Sequence, residues 1–199
     1  MGRWSRLAQR CASSPPSLGG VPYLRFESGV MRKLLVLAFL LLSSPLWAAP
    51  TAFFDGALQA ELPPLLRVLD DAAIDQMFAT ANSRPGAVLA TPDSETRVSL
   101  NYTQAVLDAA SLEATKNSLK SRIDGQEGVT WLRDEMLELN GHSWFRLDYQ
   151  LASEPKREIV LGTSANNRLL FLVIATPADD PELIEGELQA LIDSLEVSP

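Results

Sequence analysis

Asn140-Gly141, set between two apolar-rich runs, constrains this chain more than any other feature of its sequence. A two-residue type I′ turn needs positive φ at both positions, which Asn tolerates and Gly adopts freely, and its twist matches that of antiparallel strands. With these two as the loop residues, Arg133 faces Asp148 and Glu135 faces Arg146. Two opposite-charge pairs thus fall into the register that the turn dictates, which supports the hairpin independently of the turn. The same register places Trp131, Leu137, Leu139 and Trp144 on the face of these charges. Leu132, Met136, Phe145, Leu147, Tyr149 and Leu151 fall on the other. Both faces carry apolar weight, which predicts a sheet covered on both sides.

A second tight turn at Asn166-Asn167 pairs Lys156–Ala165 with Arg168–Pro177. The continuous run Leu169 to Ile174 reads as a strand buried on both faces. Gly162 falls opposite Phe171, whose ring is expected to cover the missing side chain. A terminal helix follows, with Asp180 as N-cap, Pro181 in its first turn and Glu182 and Glu185 at the positive end of its dipole. Leu183, Ile184, Leu188, Leu191, Ile192 and Leu195 form its apolar stripe. Upstream, Gly56–Leu62, Leu65–Leu69, Ala87–Ala90 and Thr96–Tyr102 read as strands. One helix is capped by Asp70 or Asp71 and runs through Ile74, Met77 and Phe78. A second is capped by Ser111, buries Leu112, Leu119 and Ile123, and ends at Gly125.

Residues 31–48 have the three parts of a secretory signal. Arg32 and Lys33 precede the apolar run Leu34–Leu42, and Ser43, Ser44 and Pro45 break it before Leu46-Trp47-Ala48. The run is shorter than the roughly 20 residues of a membrane span, so cleavage after Ala48 is expected and no stable membrane anchor remains. Residues 1–30, arginine-rich and broken by Pro and Gly, read as an N-terminal extension ahead of a true start at Met31. Residues 49–199 then form a single domain. Of the chain's 17 Lys/Arg and 25 Asp/Glu, six bases and one acid precede Ala49, so the remainder carries −13 against −8 overall. Such a surface repels nucleic acid and anionic lipid and suits a basic protein partner. The one cysteine, Cys11, lies in the discarded part, which excludes a disulfide, a thiolate nucleophile and a Cys-ligated metal.

No catalytic signature emerges. His142 is the only histidine, follows the hairpin turn, and cannot complete a multi-histidine zinc site; it reads as a solvent-exposed turn residue. Asp70, Asp71 and Asp75, and Asp179, Asp180 and Glu182, are the acid clusters open to a weak Ca²⁺ site, but neither has the spacing of a calcium loop, and both sit where helix caps belong. No catalytic, cofactor or metal residues are assigned. Trp131 and Trp144, with Arg133 and Arg146 beside them on the expected face, form a candidate partner-binding patch, because aromatic and arginine side chains anchor interfaces.

The order of elements after Val129 carries a resemblance. A strand ends in Leu139-Asn140-Gly141, and Ser143-Trp144-Phe145-Arg146-Leu147-Asp148-Tyr149 follows. Ile159-Val160-Leu161, Leu169 to Ala175 and a helix ending Leu191-Ile192-Asp193-Ser194-Leu195 complete it. This resembles the closing half of the PsbP-like, or Mog-type, superfamily, to which the exported bacterial DcrB-like proteins belong. The resemblance implies an α+β fold, an antiparallel sheet between helices in an α/β/α sandwich, spanning residues 53–199. It also implies binding, assembly or chaperone-like work rather than catalysis, and no functional residue transfers. The resulting expectation is a periplasmic or secreted, non-catalytic, cofactor-free module acting on a protein partner. Two alternatives stand beside it: an immunity protein neutralising a toxin in the same compartment, and a small exported hydrolase using carboxylates.

Overall fold

The computed structural model describes residues 49–81, 83–178 and 181–198. The expected extension at 1–30, the signal at 31–48 and the Asp179-Asp180 pair lie outside them. Trp47–Pro199 forms one compact unit. In chain order its strands and helices are β1 (Thr51–Phe53), β2 (Leu58–Ala60), β3 (Arg67–Val68), α1 (Asp71–Met77), β4 (Ala87–Ala90), β5 (Arg97–Val106), α2 (Leu112–Asp124), β6 (Val129–Leu139), β7 (His142–Leu151), β8 (Lys156–Ala165), β9 (Arg168–Pro177), α3 (Pro181–Asp193) and β10 (Glu196–Val197). Seven strands form an antiparallel sheet in the order β3-β4-β5-β9-β8-β7-β6, and β1-β2-β10 form a small second sheet.

Both asparagine turns form as their chemistry requires. Asn140 and Gly141 have φ of 48° and 81°, and Asn166 and Asn167 have 50° and 56°. Arg133 pairs with Asp148, Glu135 with Arg146, and Lys156 through Ala165 with Pro177 through Arg168. The alternation of side chains then divides the large sheet into two faces. On one, Trp144, Leu161, Leu170, Leu172, Ile174 and Val98 pack with Leu188, Leu191, Ile192 and Leu195 from α3 and its end, and with Phe53, Leu58 and Val197 of the small sheet. On the other, Phe145, Leu147, Tyr149 and Val160 pack with Leu112 and Ile123 of α2. The sheet is therefore covered on both sides, an α+β sandwich. Along β9, Leu170, Leu172 and Ile174 are buried, while Leu169, Phe171 and Val173 on the α2 side are only partly so. The unbroken apolar run reflects two unequal covers.

Four local expectations are corrected. Trp131 pairs with Tyr149 rather than keeping the turn's register, because Leu132 is extruded in a bulge between Trp131 and Arg133. Trp131 thereby moves to the α2 face. Gly162 does pair with Phe171, but the ring over it is Phe145: a Cβ at 162 would lie 2.3 Å from its Cζ. Ser111 makes no side-chain cap to α2; Asp108 instead accepts from Ser111 N at 2.7 Å and caps the short 3₁₀ turn before the helix. His142 is the first residue of β7 and half-buried opposite Leu139, not a free turn residue. Asp70 does cap α1, accepting from Ala73 N at 2.8 Å.

The last helix is tied to the first hairpin. Asn140 donates from Nδ2 to the carbonyls of Asp193, at 3.1 Å, and Leu195, at 2.9 Å. One residue thus forms the turn and satisfies two carbonyls at the end of α3. This orients α3 along β7, with its apolar C-terminal half over Trp144 and its N-terminal half over the charged end of the same face.

Candidate functional site

That charged end is where the site lies. From the turn outward, β7 presents Trp144, Arg146 and Asp148 to α3, β6 presents Leu137, Glu135 and Arg133, and β8 presents Leu161, Ile159 and Arg157. The apolar members come first and the charged ones last, so the core grades into a polar chamber of about 180 Å³. Arg133, Arg146 and Arg157 line it with Thr176, Glu185 and Gln189, and Ile159, Leu188 and Ile192 form its apolar wall.

Asp148 is completely buried at the centre. Arg157 grips it with both prongs, Nε to Oδ1 at 2.8 Å and Nη2 to Oδ2 at 2.6 Å, and donates from Nη1 to Glu185 at 2.8 Å. This bidentate geometry is the strong form of the arginine–carboxylate contact. It raises the Arg157 guanidinium above its ordinary pKa and holds the Glu185 carboxyl below the usual carboxylate range. Arg146 is placed differently. It is only 4 % exposed, yet its bonds are long: Nη2 to Asp148 at 3.3 Å and Nη1 to Gln189 at 3.4 Å. Its Nε has no partner among the described residues. Burial, and then the neighbouring Arg133, pull its pKa down.

The four residues of the expected patch therefore separate. Arg133 and Arg146 come together at the chamber. Trp144 shares their face but is wholly buried under α3. Trp131 lies across the sheet, its ring 5.4 Å from that of Tyr149, its Nε1 donating to Asp124 at 2.7 Å and Lys120 Nζ 5.0 Å above it. Arg157, Glu185 and Gln189 were not anticipated. A third hairpin turn at Ala152–Pro155 was the available signal, since it sets Arg157 beside Asp148 on the same face.

The acid cluster at Asp70, Asp71 and Asp75 is already engaged: Asp70 caps α1, and Arg84 bridges Asp71 and Asp75. Among the described residues no three His, Cys, Asp or Glu side chains converge as a metal site would require. No described helix is long and apolar enough to cross a membrane.

No family model matches the sequence, and no curated protein matches it. Solved structures do. The solution structure of the cyanobacterial PsbP protein CyanoP from Synechocystis sp. PCC 6803 aligns with a TM-score of 0.52 at 11 % identity, covering 75 % of this chain and 92 % of that one. The fold is PsbP-like. LpqN of Mycobacterium tuberculosis, described as involved in cell envelope biogenesis, aligns at 0.49 with 13 % identity over 76 % of this chain and 90 % of its own. The Saccharomyces cerevisiae Ran-binding protein Mog1p aligns at 0.41 with 9 % identity, over 75 % and 94 %. In the PsbP-like fold as this chain builds it, the arginine chamber lies between the sheet and Glu185, Leu188, Gln189 and Ile192 of α3.

Proposed function

We propose that this protein is an exported, non-catalytic binding or assembly module that holds a protein partner at the β6 edge, with Arg133 as its charged anchor. The observation that carries the reading is the exposed Arg133 set between exposed Leu132 and Met136 on β6, which pairs only with β7 among the described residues. β6 is an outer strand of the large sheet, 11 residues long, with Leu132 and Met136 exposed at 44 % and 39 %. An edge of that length offers backbone hydrogen bonds, and the bulge at Leu132 confines where a partner strand can pair. Arginines beside exposed apolar side chains supply the usual anchors of an interface.

The carboxylates weigh against hydrolysis at this place. A general acid needs a raised pKa, whereas Glu185 is held low by Arg157 and both oxygens of Asp148 accept from guanidiniums. Export rests on the signal-like residues 31–48 and the strongly acidic remainder.

Affinity capture from an envelope extract of the source organism tests this, with Arg133→Glu run in parallel. A partner retained by the wild type and lost with the variant is the expected result. Recovery of nothing reproducible, or of the same proteins by both, contradicts it.

A further inference from the structure

Arg146 is a buried cation that its own protein serves poorly. Burying a guanidinium is unfavourable unless its donors are matched by a close acceptor, and here two of its contacts are at the long limit and Nε has none among the described residues. The obvious counter-ion, Asp148, is taken by the better-placed Arg157. Three arginines and one carboxylate, Glu185, line the chamber, with Asp148 buried beneath and Glu135 paired across from Arg146 on β6. Arg133 adds a second like charge beside Arg146, which raises the cost of the arrangement further.

Ile159, Leu188 and Ile192 supply the apolar part of the chamber wall. The chamber's volume of about 180 Å³ can be set against the roughly 150 Å³ cavity that accommodates benzene in an engineered protein. It is large enough for a short acid or one side chain and too small for a nucleotide. From the unmatched guanidinium, the adjacent Arg133 and the apolar wall, we infer that this chamber is a binding site for a carboxylate carrying a short aliphatic group. A carboxylate is planar with two acceptor oxygens, and it matches the fork of an arginine as a spherical anion does not. One oxygen accepts from Arg146 and the other from Arg133, while the aliphatic part lies on Ile159, Leu188 and Ile192. The group is either a free short-chain acid or the C-terminal carboxylate of a polypeptide ending in an aliphatic residue. The inference goes beyond the partner reading and stands apart from it, since a chamber can take a free acid whether or not β6 meets a protein.

Titration calorimetry of the purified protein, with the Arg side-chain Nε–Hε signals followed by NMR, tests it. The probes are butyrate, inorganic phosphate, and a tripeptide ending in Leu with its C-terminus free or amidated. Butyrate or the free tripeptide is expected to bind saturably and to shift one buried Nε–Hε signal, which Arg146→Lys removes. Arg133→Gln, a surface change that leaves the core intact, is expected to weaken binding about tenfold. A free tripeptide at least about tenfold tighter than butyrate assigns the group to a polypeptide, and the reverse assigns it to a free acid; both support the site. Absence of saturable binding by every carboxylate, equal binding by Arg133→Gln and wild type, equal binding of free and amidated tripeptide where butyrate does not bind, or phosphate bound more tightly than any carboxylate overturns it. Failure of carboxylate binding leaves the envelope capture unaffected, and failure of the capture leaves the chamber's binding unaffected, so the two readings fail separately.

Discussion

Arg157 and Asp148 meet through two parallel hydrogen bonds of 2.8 and 2.6 Å, with the carboxylate wholly buried and the guanidinium mostly so. Arg146 depends on the same carboxylate. Removing Asp148 takes the shared buried counter-ion from both arginines, leaving Arg157 only its bond to Glu185, and breaking a buried pair in that way costs about 3–5 kcal/mol. Asp148→Ala is therefore expected to lose that much in urea denaturation. Adding Arg157→Met to Asp148→Ala should recover part of the loss, because one orphaned charge leaves with it; additive effects would contradict the pairing.

Gly162 is required by a neighbour rather than by its own backbone. A Cβ there would lie 2.3 and 2.4 Å from ring carbons of Phe145. Gly162→Ala is expected to destabilise by about 1–3 kcal/mol, the usual cost of overpacking, and Phe145→Leu in the same chain should relieve much of it. Thermal denaturation of the two single variants and the double variant measures the coupling.

Asn140 has two tasks that substitution can separate. Asn140→Gly keeps the positive φ of the turn but loses both bonds to the end of α3. A loss of about 1–2 kcal/mol is expected from the missing hydrogen bonds, with faster amide exchange at Leu195 and Val197. Unchanged exchange there would show that the hairpin and α3 are not linked through this side chain.

Two groups set opposite ends of the pH profile. Bonds to Lys116 and then Lys120 hold Asp134 below the ordinary carboxylate value. Its contribution is complete above the unfolded pKa of about 3.9 and disappears as pH falls through the lower folded value. Burial, then the bond to Glu158, raises Tyr149 well above the usual tyrosine value. Its contribution is complete below pH of about 10 and declines as pH rises from there toward the folded value. Asp134→Asn should flatten the acid limb of a stability–pH curve and Tyr149→Phe the alkaline limb, each leaving the other unchanged.

The hairpins were legible because each is decided within a few residues: Asn140-Gly141 and Asn166-Asn167 set both turn and register from local chemistry. What escaped depends on distant partners. The bulge at Leu132 cannot be seen in a strand alone, because it is a relation between β6 and Tyr149 of β7, and it carried Trp131 to the wrong face. β1 and β10 are short strands of the small sheet, and β10 pairs with β2 from the far end of the chain. Neither has a periodicity long enough to read. The site was half visible: Arg133 and Arg146 follow from the first turn, whereas Arg157, Glu185 and Gln189 arrive from β8 and α3, whose position over β7 is fixed by packing and by Asn140. Phe145 rather than Phe171 covers Gly162 for a similar reason, since choosing between two cross-strand neighbours requires knowing which way each ring leans.

The most direct test of a protein that recognises a partner at its β6 edge is a photo-crosslinking amino acid placed at position 132 in living cells. The side chain there is exposed, lies next to Arg133 and belongs to no packed core. The account predicts one dominant crosslinked protein in the envelope fraction, lost when Arg133→Glu is added, on a chain whose mature N-terminus is Ala49. No crosslink above that of a control site at Val106, or an adduct confined to unprocessed chain in the cytosol, would contradict it.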